Sequence, residues 1–564
     1  MLLAVGIATA YLRASDRLAA KVDRILKQDM TPGNNKWQAG MDELWALGPD
    51  IIPHLAAEAR FRDSLLARYY PALWKKIPAR LRHYLPPPVD QARLRQAAMR
   101  AIAEFGPLAV RRAASEVIAG VSKSDDRYNN YAVQCLRWLA PESAPALAAF
   151  QSELTSTNGR RPPFETTMGS VVYQSFWKSM PGIVPLLTNH LGNAGEAYIA
   201  AIALAGVGSN AAPAIPALIQ TLDMGAAGPF PDPEAVRMHR AEVFSNPIGL
   251  HAATLRQDDK GMNHNRAMAA LALGRIGIGN AEVCAALARA WNFPDAWVRK
   301  NAAQASAMLG PSMSNQMPGL LTGLTETDNA ALDKKLLAIG KIGPGARAAL
   351  ETLRELSNCE RLRSLVADPD AKVAGESIED LAVSAKIAIC RIDPEEGRPY
   401  IPDIADKIGY SWEPVQFLIE PSPLSNDVVR AVEPSLEQTD SSRQSIAAYV
   451  ILSHDQKHPR ALETLRRNES VGGLNERLLA GRLLFESLGE TNGLCSLLAE
   501  AFNAPQSVIG QNAGHLADEM GPAARPALAS FKAALWHKDV FVRQQAGMLL
   551  IKLAPEDLPI NGAK

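Results

Sequence analysis

The chain has 564 residues, too many for one compact core and enough for several domains or one long repeat array. Hydrophobic residues make up 47% and charged residues 21%, a globular balance that excludes wholesale disorder, and aromatics at only 6% suit packed helices better than a β-sandwich. Lys+Arg and Asp+Glu number 59 each, so the net charge is zero, which argues against a nucleic-acid footprint running along the whole chain.

The first elements lie in 1–30. Met1 to Leu12 is uncharged and mostly apolar, and Arg13 ends it. Twelve residues are too few for a spanning helix, which needs about twenty. No basic residue precedes the run, so it is also a poor secretory signal. It reads as the start of an amphipathic N-terminal helix continuing through Leu18, Val22, Ile25 and Leu26, or as the end of a truncated membrane anchor. The expected location is accordingly cytoplasmic or membrane-associated through this segment.

From residue 31 onward, helical stripes ended by Gly or Pro dominate and strand signals are scarce. Six stretches share an apolar residue, Ala four later, a small or apolar residue three later, an apolar residue four later and Pro two beyond. The constant Ala residues are Ala98, Ala132, Ala302, Ala385, Ala513 and Ala546. A 4-3-4 spacing is the buried stripe of an α-helix. Pro107 and Pro141 are 34 residues apart and Pro522 and Pro555 are 33 apart, a period that fits two helices per unit. Pro stops one helix and starts the next, and Gly106, Gly310 and Gly521 are placed for a left-handed C-cap. The constant Ala predicts close approach of a neighbouring helix.

Two units open identically, with Asp295-Ala-Trp-Val-Arg299 and Asp539-Val-Phe-Val-Arg543. Asp suits the N-cap, and Arg299 and Arg543 are expected to brace the stack rather than meet a partner. Asp-x-x-Val-Arg-x-x-Ala followed by an apolar residue and Leu-Gly resembles the HEAT repeat, and is similar to the HEAT-like subset also found in phycobilisome lyases. The match is strong near 281–345 and 495–555, moderate near 90–150 and 180–222, and degenerate between. The resemblance implies an all-α fold: an α-solenoid (superhelix) of antiparallel helix pairs, about 34–38 residues per repeat. It implies macromolecular binding far more than catalysis. Bilin lyase activity does not carry over, because no bilin-handling residue can be matched.

Three irregular insertions break the period, at 60–88, 224–265 and 393–434. The expected organisation is therefore 1–30 as the N-terminal helix, 31–392 as the first part of the solenoid, 393–434 as a Pro-rich irregular segment or hinge, and 435–560 as the C-terminal part. Insertions in repeat arrays are frequent binding faces, so function is expected to reside in these three segments.

The charge is unevenly spread. Residues 58–112 carry twelve Lys/Arg against four Asp/Glu, and 351–440 carry nine against nineteen. Trp74, Lys75, Lys76, Arg80 and Arg82 in the basic stretch, and Trp297 at a helix start, are the binding-surface candidates. The basic stretch could meet a membrane surface or another polyanion, or form a solvated helix face. His239, His251 and His264, near Asp258 and Asp259, are the densest potential metal ligands, but spacings of 12 and 13 match no metal motif. The five cysteines are scattered and read as small core residues. P-loop, dinucleotide, HExxH and GxSxG patterns are lacking, so no cofactor, metal or small-molecule substrate is identifiable. The expected function is a non-enzymatic scaffold for an unidentified protein partner. The alternatives are an enzyme subunit working through 224–265 and a binder of an anionic surface through 58–112, with nucleic acid disfavoured by the acidic 351–440.

Overall fold

The computed structural model describes residues 17–27, 37–60, 69, 72, 74–78, 90–121, 126–139, 143–154, 178, 180, 182–193, 195–224, 262–369, 377–504 and 507–560. The apolar run 1–12 and most of the insertions 60–88 and 224–265 lie outside these residues. Among the described residues every regular element is helical, and β structure is limited to isolated bridge residues such as the Ile408–Ser411 pair. Short first helices alternate with longer second helices, and within each unit runs of consecutive second helices pack on one another, most extensively from Ala197–Val207 through Ile378–Ile392. The fold is an all-α solenoid of antiparallel helix pairs. The second helices used below are α1 Trp37–Ala46, α2 Gln91–Phe105, α3 Asp126–Leu136, α4 Ala197–Val207, α5 Met262–Ile276, α6 Ala296–Leu309, α7 Asn329–Ile342, α8 Ile378–Ile392, α9 Ser441–His454, α10 Leu474–Leu488, α11 Ser507–Met520 and α12 Val540–Leu553.

The chain divides into two compact units, Met1–Thr167 with Leu498–Lys564, and Met168–Leu497. Unit 1 contains both ends of the sequence. An aromatic stack joins them: the Trp536 ring centre lies 4.1 Å from that of Trp45 and 5.1 Å from that of Phe105, with the rings nearly parallel. The Arg543 guanidinium sits 4.3 Å from the Trp45 ring centre and donates to the Glu104 carbonyl. Burial pushes the pKa of Arg543 down to about 10, so it keeps its charge at neutral pH.

The repeated sequence signals explain the stacking. All six constant Ala residues are fully buried. Asp295 caps α6 through the Val298 amide (3.1 Å), and Asp539 caps α12 through the Phe541 and Val542 amides (2.9 and 3.1 Å). The Arg four residues later acts alike in both units. Arg299 donates to the carbonyls of Phe293 and Pro294 (2.9 and 2.8 Å), and Arg543 to those of His537 and Lys538 (2.7 and 2.9 Å). Each Arg thereby satisfies carbonyls of the turn that enters its own helix. Asp295 also accepts from Asn263 of the preceding α5 (3.1 Å), so one carboxylate caps a helix and ties two repeats. Asp295→Ala is expected to cost about 1 kcal/mol, read as a lower urea midpoint, and Asp295→Asn to recover most of it.

The helix ends differ from expectation in detail. Gly106 and Gly310 have positive φ (79° and 52°), but their ψ values of −152° and −121° lie outside the left-handed helical well. That backbone region is open essentially to Gly alone. The Pro after each Gly does not open an α-helix in every repeat. Gly310–Gln316, Gly343–Ala349 and Gly521–Ala527 are seven-residue 3-10 turns, each with Pro in its first turn.

The segment 393–434 is helical rather than irregular. It holds short helices at Pro394–Gly397, Ile401–Ala405, Trp412–Leu418 and Ser425–Val432. Pro394, Pro399, Pro402 and Pro434 occupy first turns, where a missing N–H costs nothing. Ile401, Ile404, Val415, Leu418, Val428 and Val432 enter one core with residues of α8, α9 and α10, so the segment is packed against the flanking repeats.

Candidate interaction surface

The acidic stretch contributes α8 and the helix Trp412–Leu418 to a surface of unit 2 that also includes α7. Gly409, at φ 88°, turns the chain so that Tyr410 and Trp412 are left exposed, at 69% and 43%. Single exposed aromatics need no explanation, but here two fall within three residues. Arg443 of α9 braces it: its guanidinium lies 5.3 Å from the Tyr410 ring centre and donates to the Asp406 carbonyl (2.7 Å) and carboxylate (3.2 Å).

Beside Trp412, Glu413 is half-buried, and its Oε1 is fully buried with no hydrogen-bond donor among the described residues. Burial, and then the neighbouring Asp333 carboxylate, raise its pKa to about 7, against the pull of Lys334, Arg391 and Lys341. Asp333 itself is buried, held by Lys334 Nζ (2.7 Å) and by Ser384 Oγ of α8 (2.9 Å). The nearby cations are engaged elsewhere. Arg391 grips Glu420 with two hydrogen bonds of 3.0 Å, and Lys341 also donates to Glu420. The surface therefore offers a carboxylate whose charge is under-compensated, next to exposed aromatic rings.

A second polar network lies deeper in unit 2. Glu326, in the turn before α7, accepts two hydrogen bonds from Arg299 (2.6 and 2.8 Å), one from Lys335 (2.9 Å) and the amides of Thr327 and Asp328 (2.9 and 3.0 Å). Burial alone would raise its pKa; the bonds from Arg299, the Asp328 amide and Lys335 outweigh it and bring the carboxyl to about 2. Lys335 is buried, donates also to the Gly323 carbonyl (2.9 Å) and lies 5.7 Å from the Trp291 ring centre. These groups are spent on one another and join repeats.

The residues that stand out in the sequence are scattered in the structure. Trp74 is half-buried and Lys75 and Lys76 are exposed, while Arg80 and Arg82 lie outside the described residues. Trp297 is half-buried with Lys300 5.7 Å from its ring centre. His264 is buried in α5 with its ring centre 5.2 Å from that of Tyr198. His239 and His251 lie outside the described residues. Among the described residues no group of three His, Cys, Asp or Glu side chains is placed to hold a metal. Tyr410, Trp412, Glu413 and Asp333 escape the sequence criteria. The signal available for them is two aromatics within the acidic stretch.

No protein-family model matches the chain, and no curated protein matches it. Solved structures do match, at low identity. Importin beta crystallised from polyethylene glycol is 12% identical, with a TM-score of 0.43 over 98% of this chain and 84% of that one. Yeast importin-beta, Kap95p, is 11% identical, with a TM-score of 0.41 over 95% and 84%. The CpcE–CpcF complex of phycocyanin lyase from a Nostoc species is 16% identical, with a TM-score of 0.30 over 51% of this chain and 94% of that one. The repeat geometry described above, antiparallel helix pairs stacked in series, is that of an α-solenoid.

Proposed function

We propose that this protein is a non-enzymatic scaffold that holds a protein partner, and that unit 2 receives a basic segment of that partner at Tyr410, Trp412 and Glu413. The observation that carries this reading is the under-compensated Glu413 carboxylate beside two exposed aromatic rings. A Lys or Arg side chain would neutralise Glu413 while its stem packs on Trp412. The wider field supports the same sign of partner: unit 2 carries 30 Lys/Arg against 37 Asp/Glu, whereas unit 1 carries 29 against 22.

The test uses the full chain and fluorescein-labelled hexa-arginine, read by anisotropy, with hexa-glutamate as the control. Hexa-arginine is expected to bind and hexa-glutamate not. Trp412→Ala and Glu413→Gln should each weaken binding by about tenfold or more. Affinity should rise as the pH climbs through about 7, because Glu413 then ionises without help from the ligand. Equal binding by the wild type and both variants would remove this surface from the proposal.

A further inference from the structure

Unit 1 contains a cleft of about 210 Å³ at the seam where α2, α3 and α12 meet. It is separate from the surface just described and draws on different residues. Its lining includes Arg100, Tyr131, Gln134, Arg137, Trp138 and Gln544.

The guanidiniums in this cleft are held by aromatic faces. Arg100 lies 3.7 Å from the Trp37 ring centre and 5.9 Å from that of Tyr131, and Arg137 lies 4.5 Å from that of Trp138. Stacking fixes the plane of a guanidinium and leaves its N–H edge to meet an acceptor. The one carboxylate of the lining, Glu104, is engaged through a single oxygen. Its Oε1 accepts from Trp37 Nε1 (2.9 Å) and from Arg100 Nε (3.0 Å), and burial holds its pKa above the usual carboxylate value.

What remains is a set of donors. The two terminal amino groups of Arg100, the Tyr131 hydroxyl and the side-chain amides of Gln134 and Gln544 have no hydrogen-bond acceptor among the described residues. Two guanidiniums against one carboxylate give the lining a net positive charge. The donors sit in a concavity where an acceptor would gain charge-assisted hydrogen bonds on several sides at once.

We propose that this cleft is a receptor for a compact oxyanion, a carboxylate or a phosphate. Arg100 presents its two terminal amino groups, and Tyr131, Gln134 and Gln544 supply directional hydrogen bonds. Its volume suits a small molecule or a single anionic side chain. The proposal stands whether or not the scaffold reading of unit 2 holds, since no residue is shared.

Titration calorimetry on the full chain at constant ionic strength tests it, with inorganic phosphate and succinate as separate probes. Saturable binding of at least one probe is expected. Phosphate alone points to a phosphoryl ligand, succinate alone to a carboxylate, and both to a general oxyanion site. Arg100→Gln should weaken binding by about tenfold or more, and Tyr131→Phe and Gln544→Leu by several-fold each. The last two variants remove no hydrogen bond that holds the fold, so they decide the matter if the Arg100 variant is unstable. Absence of saturable binding for both probes, or binding unchanged in all three variants, overturns the proposal.

Discussion

Glu326→Ala is expected to destabilise unit 2 by about 3–5 kcal/mol, the usual cost of removing one partner from a buried ion network. Among the described residues Glu326 is the only acceptor that Arg299 and Lys335 share, and its side chain is 3% exposed. Its removal strands a Lys ammonium of 2% side-chain exposure, which keeps only the Gly323 carbonyl. Arg299 retains its two backbone carbonyls, so most of the loss should trace to Lys335. The double variant Glu326→Ala with Lys335→Met should therefore recover much of the stability, because it removes the stranded charge and fills the space with an apolar chain. Urea denaturation followed by circular dichroism at pH 7 reads both. A single variant within about 1 kcal/mol of wild type would show that the network contributes little.

The same network sets an acid limit. The folded-state pKa of Glu326 is depressed from 4.5 to about 2. Its contribution is therefore fully present above the unfolded value and is lost as the pH falls from there through about 2. Glu413 has the opposite sign. Its folded pKa is raised to about 7, so its ionisation opposes folding once the pH exceeds its unfolded value, and a bound cation would relieve that cost.

Gly274→Ala should destabilise unit 2 although it adds a single methyl group. Glycine in a helix interior costs about 1 kcal/mol relative to Ala, so propensity alone predicts a gain. Packing reverses the sign. A Cβ at Gly274 of α5 would stand 2.5 Å from the Ala305 Cα and 2.7 Å from its Cβ on α6. Backbone cannot swing aside as a flexible side chain does, so the two helices must part, at a cost of about 1–3 kcal/mol before the propensity gain is subtracted. Gly340 of α7 makes the equivalent approach to Ala388 of α8, with 3.0 Å to its Cα, and Gly340→Ala should cost less. Thermal melts of the two variants give the ordering. Equal or raised melting points for both would mean the stack yields more readily than close-packed helices do.

These glycines also refine the reading of the stripe. The constant Ala is fully buried, as its periodicity requires, and the glycine of the neighbouring helix comes close about one turn later, at Ala305 and Ala388. The Leu-Gly and Ile-Gly pairs at 273–274 and 339–340 carry that information. Periodicity shows which face of a helix is buried; it does not show which turn of the neighbour will sit against it.

Residue spacing alone specifies the helical class, the two-helix repeat, the Asp caps, the bracing Arg299 and Arg543 and the concentration of acid in 351–440. All of these are local: they depend on residues within about one repeat of each other, and helix geometry converts their spacing directly into a face or an end. Three-dimensional packing, and nothing in the spacing, stacks Trp45 on Trp536, gives Arg299 and Lys335 a common acceptor in Glu326, and sets Glu413 beside Asp333. Those meetings depend on the offset between packed helices. That offset is set by the summed fit of many small side chains, which no single interval in the chain records.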